Sequence, residues 1–558
     1  MRQGREAALA AVAAQRGGFA FGHHDPESGR TLLAVDRFAM RTLCHRVVGS
    51  ELRFAERADG LAGADDALDP QAVFDYLYFH CIPAPRTIFA GVLRLPAGHL
   101  AWFERGELTV LPYWTPTFED AGRPGQTFAS LREEFRGTLQ AAVQRDLDGG
   151  VPACFLSGGT DSSTVAGLIG RAAGQPAHTY SIGFEAQGYD EMAFARIAAG
   201  HFGTKHHEYY VTPDDLVKSI AEVAQSYDQP FGNSSALPAY YCAKVARGNG
   251  VTRMLAGDGG DELFGGNSRY AKQRVFGWYQ GVPGFVRSGL MEPLLERTAI
   301  GTLPLLKKGR SYIEQAKVPM PERDELYNLL LRLGLADVLT PEFLARIDQR
   351  APARLRRQVW ERAATGSEVN RTLAFDWRFT LADSDLPKVR GTTALAGVSV
   401  RFPFLADEVL AFSLKLPAEH KLKGLKLRWF FKEALRGFLP DEIITKKKQG
   451  FGLPFGVWAT KHAGLKALAL DSLTSLRGRG IVRPEFITTL IDKRLPEHPG
   501  YYGEMVWILM MLEQWVRRAR PDGRALFQAR GRTVARCSRP AAGRSRAVRG
   551  LNVGPVSH

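Results

Sequence analysis

Cys154-Phe155-Leu156-Ser157-Gly158-Gly159-Thr160-Asp161-Ser162-Ser163-Thr164 is the stretch that decides how this 558-residue chain is read. Val151 to Leu156 is a short apolar run of the length expected of a buried strand, and Gly158-Gly159 permits a turn that residues with a Cβ resist. Apolar residues continue through Thr164-Val165-Ala166-Gly167-Leu168-Ile169 and predict a helix, with Asp161, Ser162 and Ser163 suited to cap and complement its start. A glycine turn that opens a helix aims unpaired N–H groups and the positive end of the helix dipole at one point, which makes an anion site; a phosphate is the expected anion. No Lys follows the glycines, so this is not the G-x-x-x-x-G-K-[ST] cradle of a γ-phosphate. Gly-Gly alone would be read as a plain turn; strand, acid and hydroxyls in register favour the phosphate.

Working outward, Phe128, Leu131, Phe135, Leu139 and Val143 recur at helical spacing and lead into the loop strand. Downstream, His178-Thr-Tyr-Ser-Ile-Gly-Phe, His207-Glu-Tyr-Tyr-Val and Val251 to Leu255 read as strands separated by helices at Tyr189 to Phe202, Leu216 to Tyr227 and Pro238 to Arg247. Such alternation predicts a parallel sheet whose ligands gather at the C-terminal strand ends. From about residue 270 to 520 the pattern is mostly helical, without an internal repeat. Upstream, Gly17-Gly-Phe-Ala-Phe-Gly and Thr31-Leu-Leu-Ala-Val-Asp-Arg-Phe form a hairpin about Asp25-Pro26-Glu27-Ser28-Gly29, with Leu43-Cys-His, Gly91 to Leu100 and Glu107 to Leu111 as further strands and 70–82 as a helix. The Pro/Gly-rich segment Pro112 to Gln126 separates this small sheet unit from the rest.

Composition sets the bounds. The chain is 45% hydrophobic and 23% charged, an ordinary soluble balance, with no run of about 18 apolar residues to span a membrane. The weakly apolar start, Ala7 to Ala14, reads as a helix and not as a signal peptide. Five scattered cysteines, without a C-x-x-C pair, point to a reducing cytoplasm. Of the net charge of +15, the stretch from Arg517 onward supplies +10 through eleven Arg against Asp522, so the charge marks a tail rather than a nucleic-acid-binding body. That tail is expected to be a solvated, disordered extension, with RNA or an acidic partner as the lesser reading.

Ser-Gly-Gly-x-Asp-Ser at 157–162 resembles the pyrophosphate loop of the ATP pyrophosphatases, which split ATP between the α and β phosphates. With Tyr180-Ser-Ile-Gly-Phe, Gly203-Thr-Lys-His-His, Asp228-Gln-Pro-Phe-Gly-Asn-Ser-Ser, Gly257-Asp-Gly-Gly-Asp-Glu-Leu-Phe-Gly-Gly, Val400-Arg-Phe-Pro-Phe-Leu and Lys446-Lys-Lys-Gln-Gly-Phe-Gly-Leu-Pro, seven motifs over about 125–520 resemble, in order, the synthetase domain of the glutamine-dependent asparagine synthetases. Residues 17–46 and 91–114 are similar to the later part of that family's glutaminase domain, an N-terminal-nucleophile sandwich. The implied fold is α/β: a partial Ntn-type αββα glutaminase-like domain at 1–115, then a parallel-sheet, Rossmann-like ATP pyrophosphatase domain of the adenine nucleotide alpha hydrolase kind at 125–520, then the basic tail at 521–558.

The resemblance implies an ATP-dependent ligase that activates a carboxylate, aspartate first among candidates, as acyl-AMP and lets ammonia form the amide. Leu156, Ser157, Gly158, Gly159, Asp161, Ser162, Ser163, Ile182, Ala256 and Gly257 match its ATP and pyrophosphate positions, Asp161 and Asp261 its Mg²⁺ ligands, and Lys448 and Asp258 its catalytic positions. An N-cap role for Asp161 is compatible with metal binding, and Lys446 and Lys447 read as solvated lysines. Three departures stand out. Asp258 replaces the usual Glu and shortens the carboxylate by one methylene; Ser399 replaces a Glu; Arg390-Gly391 replace an Asp-Arg. They put the acyl substrate and the acceptor in question.

The family's glutaminase nucleophile is a Cys directly after the initiator Met, where Arg2 stands here, and Arg16 takes the place of an acid that contacts the glutamine amine. An upstream start would explain the first departure and not the second. The expectation is therefore no glutaminase activity in this chain, with Cys44 an ordinary core thiol, ammonia free or delivered by a separate glutaminase, and a homodimer as the oligomer to consider. The alternatives are an amide ligase of specialised biosynthesis, of the β-lactam synthetase, lasso cyclase or polysaccharide-associated kind, and, from another class, an inactive scaffold whose basic tail binds RNA.

Overall fold

The computed structural model describes residues 4–63, 66–122, 125–186, 188–287, 312–447, 452–521 and 526–527. Near the N terminus, β1 (Ala20–Asp25) and β2 (Arg30–Val35) pair antiparallel with Asp25 opposite Arg30, the hairpin that Pro26 and Gly29 predict. With β6 (His99–Glu104) and β7 (Glu107–Pro112) they form a four-stranded sheet in the order β1-β2-β6-β7. A second sheet, β4-β3-β5, joins Glu51–Ala55, Cys44–Val48 and Leu93–Arg94. Strand alternation sends Leu32, Ala34, Leu100 and Trp102 to one face of the first sheet, where Ala8 and Val12 of α1 (Arg5–Ala13) cover them. Leu33, Val35 and Ala101 face the other way, toward Leu43 and Leu95 beside the second sheet. One helix layer over two sheets is what the partial sandwich reading expects.

The helix α2 (Pro70–Phe79) starts on a cap in which the Asp69 side chain accepts from the Gln71 N–H, and it ends where His80 turns left-handed. It belongs to the N-terminal stretch by sequence, yet it packs in the large helical core, where Tyr76 Oη donates to the Ile508 carbonyl at 2.8 Å. That core is organised by the helix Pro499–Ala519, whose residues Met505 to Val516 are all buried. Its one buried acid, Glu513, is matched by buried Arg479 at 3.0 Å, as a charge in such surroundings requires.

The site-bearing sheet is parallel throughout, in the order β10-β9-β8-β11-β12. Its strands are β8 (Ala153–Phe155), β9 (His178–Phe184), β10 (Lys205–Val211), β11 (Arg253–Leu255) and β12 (Ser399–Arg401). Crossover helices α4 (Thr160–Ala173) and α5 (Met192–Phe202) take the chain from β8 outward to β10, and α6 (Pro213–Ser226) and α7 (Ala236–Gly248) bring it back to β11 on the other side. The leading helix α3 (Phe128–Asp146) buries Leu131, Phe135, Leu139 and Val143, as their spacing predicts. The winding reverses between β8 and β11, so a crevice opens at the C-terminal ends of these two strands. The fifth strand, β12, lies inside the stretch read as mostly helical; three residues between a helix and a Pro carry too little pattern to be recognised.

Arg517 and Arg518 are not tail but the last turn of the long helix, where they meet Asp471 at 2.6 Å and Asp59 at 3.2 Å. Leu526 and Phe527 lie against the helical core. Residues 522–525 and 528–558 fall outside the described residues. No helix among the described residues is long and apolar enough to cross a membrane.

Candidate active site

The turn after β8 places Gly158 at φ 68°, and a Cβ there would stand 2.4 Å from the Ala195 nitrogen, so only glycine fits. Gly159 is the N-cap of α4, and no side chain caps this helix. Asp161, Ser162 and Ser163, expected to cap, lie inside the first turn. The first-turn amides are therefore not taken up by a capping side chain. Ser157 and Ser162 brace the turn: the Ser157 N–H donates to Ser162 Oγ at 3.1 Å, and the two hydroxyls lie 3.1 Å apart. The Ser163 hydroxyl is buried without a hydrogen-bond partner among the described residues. Leu156 and Ala256, at the ends of β8 and β11, are buried, and Ile182 on β9 is half-buried beside them. Gly257 lets the end of β11 close on α4: a Cβ there would be 2.9 Å from the Ser162 nitrogen.

Both acids assigned to the metal converge on one point. Arg428 Nη1 donates to Asp161 Oδ2 at 2.7 Å, to Asp261 Oδ1 at 2.8 Å and to Thr160 Oγ1 at 2.9 Å, and Nη2 makes a further short contact with Asp161 Oδ1. The guanidinium also lies 3.8 Å over the Phe431 ring. Arg428 adopts φ 53°, a left-handed conformation uncommon outside glycine, which places its buried side chain in this slot. Two hard oxygen donors facing one cation are a donor set that suits Mg²⁺, which needs few protein ligands because it keeps waters and binds phosphates. No group of three or more metal-ligating side chains occurs among the described residues. Sequence reading missed Arg428, which sits 267 positions from Asp161 in no motif of its own.

Asp258 follows at the end of β11, and burial pushes its carboxyl up to about 6 although Lys388 opposes the shift. The Lys388 ammonium is 3.9 Å from Asp258 and 2.9 Å from Asp385. Burial works against the charge of Lys388, but Asp385 and Asp258 outweigh it and hold the lysine above its ordinary value. Burial, with the charge of Asp385, likewise pushes Glu262 up to about 8. Asp385 ends a π-helical stretch, Trp377–Asp385, and Lys388 sits on the next helix, α9 (Leu386–Leu395). Neither residue was singled out from sequence, because their partners are brought in by the fold.

Lys446, read as a solvated lysine, is not one. Its ammonium meets Glu191 at 3.1 Å, donates to the Gly158 carbonyl at 3.4 Å and lies 4.5 Å over Phe194, so it ties the loop to α5. Lys448 lies outside the described residues. Of the departures noted above, only Asp258 stands at this centre. Ser399 is on the edge strand, where its hydroxyl donates to the Thr252 carbonyl at 3.1 Å. Arg390 turns toward the N-terminal unit, with the Ala39 carbonyl and Thr42 Oγ1 each at 3.4 Å.

Four cysteines are free and buried, and Cys537 lies outside the described residues. Cys44 sits in β3, where burial pushes its thiol up to about 11, the opposite of what a nucleophile needs.

Comparison with known proteins matches residues 134–517 to the asparagine synthase family and residues 3–114 to a glutamine amidotransferase domain. An asparagine synthetase [glutamine-hydrolyzing] 1 of Bacillus subtilis is 26% identical over 489 residues, which cover 86% of this chain and 74% of that protein. A putative asparagine synthetase [glutamine-hydrolyzing] of Mycobacterium tuberculosis is 26% identical over 521 residues, or 90% and 76%. One of Methanocaldococcus jannaschii is 31% identical over 278 residues, or 49% and 53%. A matched loop, crevice and acid pair on a parallel sheet, and a family match over more than half the sequence, make this chain a member of the asparagine synthase family of ATP-dependent amide ligases.

Proposed function

We propose that this chain adenylates a carboxylic acid, aspartate foremost, and converts the acyl-adenylate to an amide with ammonia. The observation that carries the reading is the uncapped N terminus of α4 beside two carboxylates that converge on a single cation. The α4 amides, with Ser157 and Ser162, would receive the pyrophosphate as it leaves, and Leu156, Ile182, Ala256 and Gly257 would border the nucleoside. Asp161 and Asp261 would hold Mg²⁺, which neutralises phosphate oxygens when bound. Lys446 fixes the loop, and Lys448, two residues on in the same run, would supply a positive charge against the α-phosphate and the acyl oxygen.

Asp258 has the right character to accept a proton from the attacking amine. A carboxyl near 6 holds a proton more tightly than an ordinary Asp and is still largely ionised at neutral pH. Lys388 and Asp385 keep it oriented. Glutamine hydrolysis is not part of the activity of these residues: Arg16 brings a cation where the amine of glutamine would lie, and each described cysteine is buried. Ammonia is then taken up free or from a separate glutaminase.

ATP–pyrophosphate exchange against a panel of carboxylic acids, followed by product mass with ammonium present, tests this reading. Exchange that depends on aspartate and an asparagine product are expected. Exchange that depends on another acid would keep the adenylation and replace the substrate, in line with the shortened carboxylate at Asp258; no exchange with any acid would end the proposal.

A further inference from the structure

A cavity of about 1030 Å³ lies between the N-terminal unit and the outer edge of the parallel sheet. Its walls come from the segments around Arg16 to Gly18 and Met40 to Thr42 on one side, and Arg390 to Leu395 and Val398 to Phe402 on the other. It is separate from the active centre. Tyr227, Gly391 and Leu405 form the partition: a Cβ on Gly391 would meet the Tyr227 ring at 2.5 Å, and one on Gly259, behind Leu405, would meet that leucine at 2.3 Å. On α9, Lys388 and Arg390 are two positions apart, about 200° around the helix, so one serves the centre and the other the cavity.

The lining is unbalanced. Eight arginines face it against three acids, so the lining keeps an excess of positive charge. Asp228 is held by Arg94 at 3.3 Å and by the Ala58 N–H at 2.9 Å, and Glu56 is 3.7 Å from Arg390. Burial raises the Asp146 carboxyl, and the charges of Arg145, Arg401 and Arg253 oppose the shift, so this acid is shared among three arginines. Arg253 reaches outward to Asp148 at 3.3 Å. The side chains of Arg41 and Arg401 make no hydrogen bond or ion pair with any described residue. Arg401 is half-buried on β12, on the same sheet face as Arg253. Burial first, and then the charges of Arg253 and Arg41, hold its guanidinium below its ordinary value. Ser399, two residues earlier on that face, offers a hydroxyl and no charge.

Arg57 and Arg145 of this lining also have acid partners, Asp59 at 2.7 Å and Glu408 at 3.2 Å, which leaves Arg41 and Arg401 without one. Guanidinium groups so placed in a concave space lower their free energy by taking up an oxyanion that accepts from their paired N–H donors. A lone monocarboxylate would leave most of this charge in place, and the space is at the size of a metabolite pocket. We propose that the cavity is a binding site for a small multivalent oxyanion, a phosphate ester or a polycarboxylate, clasped by Arg41, Arg390 and Arg401. The site stands on observations separate from those that carry the nucleotide reading, and either can fail without the other.

Calorimetric titration of the full chain, with the nucleotide end filled by a non-hydrolysable ATP analogue and Mg²⁺, tests it with citrate, 3-phosphoglycerate and inorganic phosphate as probes. One site per chain is expected for citrate or for 3-phosphoglycerate, weakened at least about tenfold in R41Q/R401Q with binding of the ATP analogue retained. Citrate binding alone assigns the polycarboxylate; 3-phosphoglycerate binding with inorganic phosphate as a weaker competitor assigns the phosphate ester. Because the substitutions relieve like-charge repulsion, ligand-free R41Q/R401Q should melt no lower than the parent. A lower melting point would reveal a protein partner for these guanidiniums and overturn the proposal, as would equal probe affinity in the two chains or binding of none of the three.

Discussion

The N-terminal sheets and the proposed nucleotide end of the parallel sheet both hold carboxylates out of open solvent, fully at Asp36 and partly at the second, and they satisfy them in opposite ways. In the first, Asp36 accepts from the backbone N–H groups of Phe38, Met40 and Arg41 at 2.9 to 3.1 Å. In the second, Asp161 and Asp261 share Arg428, and Asp258 and Asp385 share Lys388. Asp36 and Asp258 are each pushed up to about 6, chiefly by burial. The matching values hide different roles. A carboxylate fixed by its own backbone cannot change partner unless the turn opens, whereas one held by a side-chain cation can exchange it for a ligand. The nucleotide end is built from the second kind.

The largest effect should come from the exchangeable pair. Asp161→Asn or Asp261→Asn is expected to lower pyrophosphate exchange by about 10²–10³-fold with the melting point nearly kept, since the charge lost acts on the phosphates. A chain that melts far lower but exchanges normally would place these acids with Asp36, among the structural carboxylates. Next, Arg428→Ala leaves two half-buried carboxylates facing each other and should cost about 3 kcal/mol of stability without metal. Millimolar Mg²⁺ should restore much of that loss, and a melting curve indifferent to Mg²⁺ would show that the slot does not accept the ion.

Asp36→Ala is the counterpart, stripping the acceptor from three amides, and should cost about 2 kcal/mol or more in a chemical melt. Nucleotide binding should be unaffected. Smaller still is the pH effect of Asp258→Asn. The folded chain holds the Asp258 proton up to about 6 against 3.8 for the ordinary group, so protonation favours the fold: its contribution is complete below about 4 and fades as pH rises through 6. Relative to the parent, the variant should therefore be unchanged at pH 4 and more stable at pH 8, while amide formation falls. A pH-independent difference would remove burial as the cause. Least of all, Cys44→Ser should leave glutamate release from glutamine at the background of the parent.

Much of the site was legible in advance, because its parts are local. Gly158 announces a turn, the apolar runs on either side announce strand and helix, and alternation of the two announces a parallel sheet with its ligands at one end. The caps were misjudged: Asp161, Ser162 and Ser163 are helix-starting residues by type, but Gly159 is the cap and Asp161 turns to Arg428. Lys446 was misjudged for a related reason. A run of lysines looks solvated until the Glu191 and Phe194 of another helix are placed against it.

The sequence by itself determined the glycine turn and the strand–helix order, written in neighbouring residues through backbone preference and apolar spacing, and its motifs carried the family. Only the tertiary structure decided which charges meet: Arg428 with two acids far behind it in the chain, Lys388 with Asp258, and a group of arginines across the junction that outnumber their acids. Electrostatic interaction depends on distance and burial in space, and neither is recorded in the spacing of residues along the chain.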